Sequence, residues 1–284
     1  MSARPAIGVF DSGVGGLTVL KELVALVPAA DYLYFGDTAR LPYGSKSVET
    51  VARYAISAAR FLEEKKIELL VVACNTASAL ALSQIAGGVR VPVIGVIEPG
   101  ADAAAAASRT RKAVVLGTEG TVASHAYQRA LAARGVEARE QACPLFVPLV
   151  EEGWTDHPVT EQVAHIYLDA LFKNGPAGAD VMVLGCTHYP LLKPLLRRLA
   201  PPQVTIVDSA ESTARAVARS AAVSAAVAGA STLPRGQDAR ATAGGTPALR
   251  FFSTDSVEKF RRLGARFLGH PVEDVAHVDL DRLP

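Results

Sequence analysis

"LLVVACNTAS", Leu69 to Ser78, and "VMVLGCTHYP", Val181 to Pro190, follow one plan. Each opens on a short apolar run, passes a small residue and reaches a cysteine, Cys74 or Cys186. Hydroxyl, amide or imidazole side chains follow. A continuous run of Val and Leu reads as a strand buried on both faces, the habit of a parallel sheet covered by helices. In such folds ligands sit beyond the carboxyl ends of the strands. Both cysteines fall at that place.

The rest of the chain repeats the alternation. Apolar runs predict strands at Ile7–Phe10, Tyr32–Phe35, Leu69–Ala73, Val91–Val96, Ala113–Leu116, Val181–Leu184, Val204–Val207 and Leu249–Phe252. Helical patterns lie between them, at Leu17–Val27, Val48–Lys65, Ala77–Ile85, Val122–Arg134, Thr160–Phe172, Leu191–Leu199, Ser212–Val227 and Val257–Phe267. Asp208-x-x-Glu211 and Asp255-x-x-Glu258 read as capping boxes opening the last two. Strands and helices in alternation predict an α/β fold with mostly parallel sheets flanked by helices.

The two halves correspond. "IGVFDSGVGGLTV" opens the chain and "AVVLGTEGTVAS" begins at Ala113. Each reads as strand, glycine-bearing turn and helix, and each precedes a strand that ends in one of the two cysteines. The expectation is two similar α/β domains, pseudo-twofold related, with the active site between them. The first is discontinuous, 1–97 plus 209–284, and the second is 98–208. Within the first, 228–248 ("AGASTLPRGQDARATAGGTPA") has no helical or strand period and reads as a mobile insertion.

Composition narrows the function classes. The 284 residues carry a formal net charge of +1, which points to neither nucleic acid nor an anionic membrane. No apolar stretch approaches the ~20 residues of a membrane span. The run Ile7–Phe10 is too short for a signal-peptide core, which favours the cytoplasm. Three cysteines, with no C-x-x-C or H-x-x-x-H spacing, give neither a disulfide framework nor a metal motif.

A lone free cysteine at a strand end is most often a small buried hydrophobe. Cys143, before Pro144, keeps that reading. Cys74 and Cys186 depart from it, because each stands at a strand-to-helix turn where the helix dipole favours a thiolate. Asn75 and Thr76, or Thr187 and His188, follow as binding groups. The glycine turn "DSGVGG", Asp11 to Gly16, leaves two readings open: a tight turn without a ligand, or a phosphate cradle of the kind found in two-domain actin-like ATPases. It is neither a Walker A motif nor G-x-G-x-x-G.

"FDSGVGGLTV", "YFGDTARLPYGSKS", "VVACNTASA", "GTEGTVAS", "LGCTHYPLL" and "FFSTDSVEKF" together resemble glutamate racemase, in order from residue 7 to about 268. The resemblance implies a cofactor-independent amino-acid racemase that interconverts L- and D-glutamate and supplies D-glutamate for bacterial peptidoglycan. It also implies two α/β domains around the active site and a homodimer. Carried over by position, Cys74 and Cys186 are the catalytic bases. Asp11, Ser12, Tyr43, Gly44, Asn75, Thr76, Thr187 and His188 are substrate contacts. The stretch 228–248 looks longer than the family's linker there.

The chemistry fits the implied reaction. Racemisation takes a proton from one face of a carbon and returns one to the other, so two bases with one proton between them suffice. A free cysteine has a pKa of ~8.5 and needs help at neutral pH. Asp11, at a neighbouring strand end, is placed to assist Cys74. His188 and Glu152 are placed to assist Cys186. Hydroxyls at helix starts, those of Ser12, Thr76, Thr118, Thr121 and Thr187, suit the two carboxylates. Asp11 or Asp37 would face the ammonium. Neither pyridoxal phosphate nor a metal is implied. Two other functions stay open: an aspartate racemase using the same cysteines, and a two-lobed amino-acid binding protein, which would not need paired cysteines.

Overall fold

The structure is a computed structural model that describes residues 4–172, 178–220 and 246–284. Among these residues the strands are β1 (Ala6–Asp11), β2 (Asp31–Gly36), β3 (Leu69–Val72), β4 (Val93–Gly95), β5 (Lys112–Gly117), β6 (Glu137–Ala142), β7 (Val181–Gly185), β8 (Thr205–Asp208), β9 (Leu249–Ser253) and β10 (Val275–His277). They form two sheets, β10-β9-β2-β1-β3-β4 and β6-β5-β7-β8, with parallel pairing throughout. Without β9 and β10 the two orders are the same: second strand, first, third, fourth. The correspondence read between the halves is thus present as topology, with β1 matching β5 and β3 matching β7.

The covering helices are α1 (Leu17–Leu26), α2 (Val48–Glu64), α3 (Asn75–Gly88), α4 (Ile97–Ala107), α5 (Glu119–Ala123), α6 (Ala126–Ala132), α7 (Phe146–Glu151), α8 (Pro158–Phe172), α9 (Lys193–Leu199), α10 (Ser209–Arg219) and α11 (Val257–Leu268). Helices on both faces explain why β3 and β7 are buried at every position and could be built from apolar residues without alternation. On α1, Leu17, Leu20 and Leu23 are fully buried, each contributing about 2 kcal/mol. Helix α10 follows the last strand of the second sheet and packs on α1 of the first. One apolar core therefore runs between the sheets.

Several elements differ from the expectation, each for a physical reason. β6, "EAREQA", is a half-exposed edge strand and has no apolar run. β10 is a three-residue edge. α4, "IEPGADAAAAA", carries Pro and Gly in its first turns, where they are tolerated. The helix expected over Val122–Arg134 is two, because His125 adopts a left-handed conformation (φ 52°) between α5 and α6. The helix expected over Leu191–Leu199 opens with a 3-10 turn, Tyr189–Leu192, before α9. Asp208 caps α10 as expected, its Oδ1 accepting from the Glu211 N–H at 2.9 Å. The cap of α11 is Ser256 rather than Asp255. The expected insertion falls almost wholly outside the described residues, as does the end of the helix expected over Ser212–Val227.

Registry then places the site. Phe10 pairs with Val72 and Gly117 with Gly185. In each sheet the order reverses between those two strands, which opens a crevice at their carboxyl ends. Cys74 lies two residues past β3 and Cys186 directly follows β7. Among the described residues, no helix is long and apolar enough to cross a membrane.

Candidate active site

The two crevices meet in one cavity of about 360 Å³, lined by both Cys74 and Cys186. Each cysteine is 5 % exposed, enough to reach a ligand and little enough to exclude bulk water.

Cys74 is the N-cap of α3. Its sulfur accepts from the Ala77 N–H at 3.5 Å and lies 3.5 Å from Oγ of Ser12. Burial, with the nearby Asp11 charge, pushes the Cys74 thiol up to about 12; the Ala77 N–H and Ser12 offset this in part. Cys74 thus rests as a thiol.

Cys186 has a different neighbour. Nδ1 of His188 is 4.0 Å from its sulfur, and Nε2 is 3.1 Å from Oε1 of Glu151. Burial would strip the proton from His188, but hydrogen bonds to Cys186 and Glu151 outweigh it, raising the pKa to about 10. The same hydrogen bond from His188 holds the Glu151 carboxyl below its ordinary range. The resting site therefore contains an imidazolium between a sulfur and a carboxylate. The ring packs edge-on against Phe267, 5.0 Å between centroids.

Glu152 is a correction. It is exposed beyond the last turn of α7 and takes no part in the cavity wall, where Glu151 stands. The signal was available in helical phase: Val147 and Glu151, at i and i+4 on α7, share a face, and both line the cavity.

The hydroxyl groups form a bridge between the sheets. Thr76 Oγ1 lies 2.9 Å from Thr118 Oγ1 and 3.4 Å from Thr121 Oγ1, and the latter two are 3.0 Å apart. Thr76 and Thr118 line the cavity; Thr121 stands behind them and fixes their positions. Ser12, Asn75, Thr187, Tyr43 and Gly44 also line it. Tyr43 is held by its hydroxyl, which donates to Asp37.

The two candidate ammonium partners are both withdrawn from the cavity wall. Asp11 is 1 % exposed, with Oδ2 accepting from the Gly13 N–H at 2.9 Å. Its Oδ1 accepts from Thr187 Oγ1 at 3.5 Å. Burial raises its pKa, and the His188 charge pulls it back. Its field raises the Cys74 thiol rather than easing its ionisation. Asp37 is fully buried and taken up by Arg40, Tyr43 and Thr254. Besides Glu151, the sequence reading missed Lys259, in the first turn of α11, whose charge also lowers Glu151.

Two thiols reaching one small cavity, one neutral and one beside an imidazolium, can hold one transferable proton on either side of a bound carbon acid. Backbone N–H groups at the start of α3 and clustered hydroxyls can bind carboxylates.

Comparison with known proteins bears on this arrangement. Residues 7–217 match the family model described as Asp/Glu/Hydantoin racemase. The chain is 60% identical over 285 residues to the glutamate racemase of Koribacter versatilis, covering 98% of each. It superposes on the glutamate racemase of Thermus thermophilus, solved with β-chloro-D-alanine, with a TM-score of 0.82, 44% identity and 99% of each chain covered. It superposes on that of Francisella tularensis, solved with D-glutamate, with a TM-score of 0.83, 32% identity and 98% coverage of each.

Proposed function

Because the chain belongs to the Asp/Glu/hydantoin racemase family, we propose that it interconverts L- and D-glutamate with Cys74 and Cys186 as its two bases. The observation that carries this is the arrival of two cysteines, from equivalent strand ends of two matching sheets, in one cavity of about 360 Å³.

In each direction one sulfur enters as thiolate and takes the α-proton, while the other, as thiol, returns a proton to the opposite face. The carbanion exists only between these steps, so the two transfers must be closely timed in a water-poor site. His188, with Glu151 behind it, keeps a positive charge next to Cys186. Cys74 supplies the resting proton. The α3 N–H groups and the Thr76–Thr118 pair take the carboxylates, whose negative charge suits a helix N-terminus. Tyr43 and Gly44 complete the wall beside Thr118.

The two sheets support a division into domains 1–97 plus 209–284 and 98–208. The protein works in the cytoplasm as a homodimer and supplies D-glutamate for peptidoglycan, as the resemblance to glutamate racemase implies.

The test is to add L- or D-glutamate to the purified protein and follow far-UV circular dichroism. Decay of both signals toward zero supports the reading. A constant signal with both enantiomers overturns it. Aspartate serves as the comparison: its carboxylate falls short of groups placed for glutamate and leaves them unpaired, so kcat/KM should drop by at least ~100-fold.

A further inference from the structure

Asn75 and Gly185 are the immediate neighbours of the two cysteines, and one side chain touches both. The hydroxyl of Tyr127, on α6, donates to Oδ1 of Asn75 at 2.8 Å. Its ring lies against Gly185, where an added Cβ would come 2.9 Å from Cε2. The opposite edge lies against Gly100 of α4, where a Cβ would come 3.0 Å from Cε1. Tyr127 is fully buried, so it cannot serve as a surface contact or a substrate ligand.

We propose that Tyr127 is a positioning residue that sets the spacing between Cys74 and Cys186. Its hydroxyl fixes the amide of Asn75, whose Nδ2 in turn donates to Ser209 Oγ at 3.1 Å. Both ends of the amide are thereby occupied, and through Tyr127 the residue after Cys74 is tied to the second half of the molecule. Its ring rests on the backbone that carries Cys186, with no side chain at position 185 between them. Movement of either half-site relative to the other must shear this contact.

The proposal rests on the two-thiol reading above and makes a claim that reading does not. Racemisation needs both sulfurs at reacting distance from one carbon. Elimination of chloride from a glutamate analogue chlorinated at the β-carbon needs one. One thiolate takes the α-proton, the C–H electrons form the C=C bond, and chloride leaves with its own pair. The enamine then tautomerises and hydrolyses to the 2-oxo acid and ammonium. A substrate can shift toward one base, but not toward two at once.

The experiment measures both reactions for Tyr127→Phe, which keeps the ring and loses the hydroxyl. The expected result is a fall in the racemisation-to-elimination ratio of kcat/KM by roughly tenfold or more, since sub-ångström misplacement of a reacting group costs about this much. A residue that only stabilises the fold would reduce both reactions together, and partial unfolding cancels in the ratio. Gly100→Ala, which keeps the hydroxyl and pushes the ring from its other edge, should move the ratio the same way and serves if Tyr127→Phe does not fold. A ratio equal to wild type, or raised, overturns the proposal. Absence of racemisation by the wild-type protein would instead overturn the function on which it rests.

Discussion

Nδ1 of His188 lies 4.0 Å from the sulfur of Cys186, whereas the residue two places past Cys74 is Thr76, tied to Thr118 and Thr121. The two half-sites match in topology and differ in charge. A symmetric reaction is thus run by an asymmetric pair: a buried neutral thiol on one side, a sulfur beside an imidazolium on the other. Most of the expected behaviour follows from this difference.

The first expectation concerns the acid behind His188. Glu151→Gln removes the carboxylate that helps hold the proton on the ring, and kcat/KM for glutamate should fall by ~10- to 100-fold, at or below the low end of the ~10²–10⁴-fold that a group transferring the proton itself contributes. Glu152→Gln, one residue on and exposed, should stay within about twofold of wild type, as surface substitutions do. Steady-state kinetics of the two variants side by side decide it. Equal losses would return the role to both acids.

The second concerns pH. With Cys186→Ala, elimination from the β-chloro analogue depends on Cys74 alone. Its thiol is pushed up to about 12 by burial and by Asp11. Below that value the thiolate fraction grows with pH, so kcat/KM should rise by about tenfold per unit between pH 7 and 8.5. A plateau across that range would show that Cys74 ionises near neutrality and that its surroundings are misread.

The third concerns a close approach. A Cβ on Gly15 would fall 2.3 Å from Thr187 Oγ1 and 2.5 Å from His188 Nδ1. Neither partner can yield without losing its place in the cavity wall. Gly15→Ala should therefore reduce kcat/KM by ~100-fold, as displacement of positioned groups does, while far-UV circular dichroism remains that of a folded α/β protein. Near-normal activity would mean that the turn Asp11–Gly16 has room to move away. It would also mean that His188 is not fixed by it.

How far the sequence carried this account depends on what each element needed from its neighbours. Strands with apolar runs, β3 and β7 above all, announced themselves because both faces are buried. β6 did not, since an edge strand needs no apolar run and none of its six residues is fully buried. The break at His125 is a backbone conformation uncommon for residues other than glycine, with no local sequence warning. Both cysteines, Asn75, Thr76 and Thr187 were legible from their place after strands. Glu151 was missed by one position because α7 was not read as a helix, and phase is what separates Glu151 from Glu152. Asp37 was legible as polar, but one of its partners, Thr254, is 217 positions away, and only folding shows that its carboxylate is already engaged.

Asp37 gives the fourth expectation. It is fully buried and receives Arg40 Nε at 2.7 and 2.9 Å, Thr254 Oγ1 at 3.1 Å, and the Tyr43 hydroxyl. Asp37→Ala leaves a largely buried guanidinium without its counter-charge, a loss of about 3 kcal/mol or more. Urea unfolding should report it as a lower midpoint. Because Tyr43 loses its anchor, KM should rise in the fraction that folds. Unchanged stability would show that Arg40 escapes to solvent.

The claim on which everything rests is that two thiols act on opposite faces of one carbon. It is tested by giving Cys74→Ala and Cys186→Ala each enantiomer of the β-chloro glutamate analogue and following formation of the 2-oxo acid. Neither variant should racemise glutamate, because a methyl group neither takes nor gives a proton. Each should eliminate chloride from one enantiomer only, and the two should choose opposite enantiomers: by family resemblance Cys186→Ala the D form, through Cys74, and Cys74→Ala the L form, through Cys186. Cys143→Ala, altering a buried residue outside the cavity wall, should behave as wild type. If either single variant processed both enantiomers equally, or racemised glutamate at the wild-type rate, the two-thiol account would be wrong.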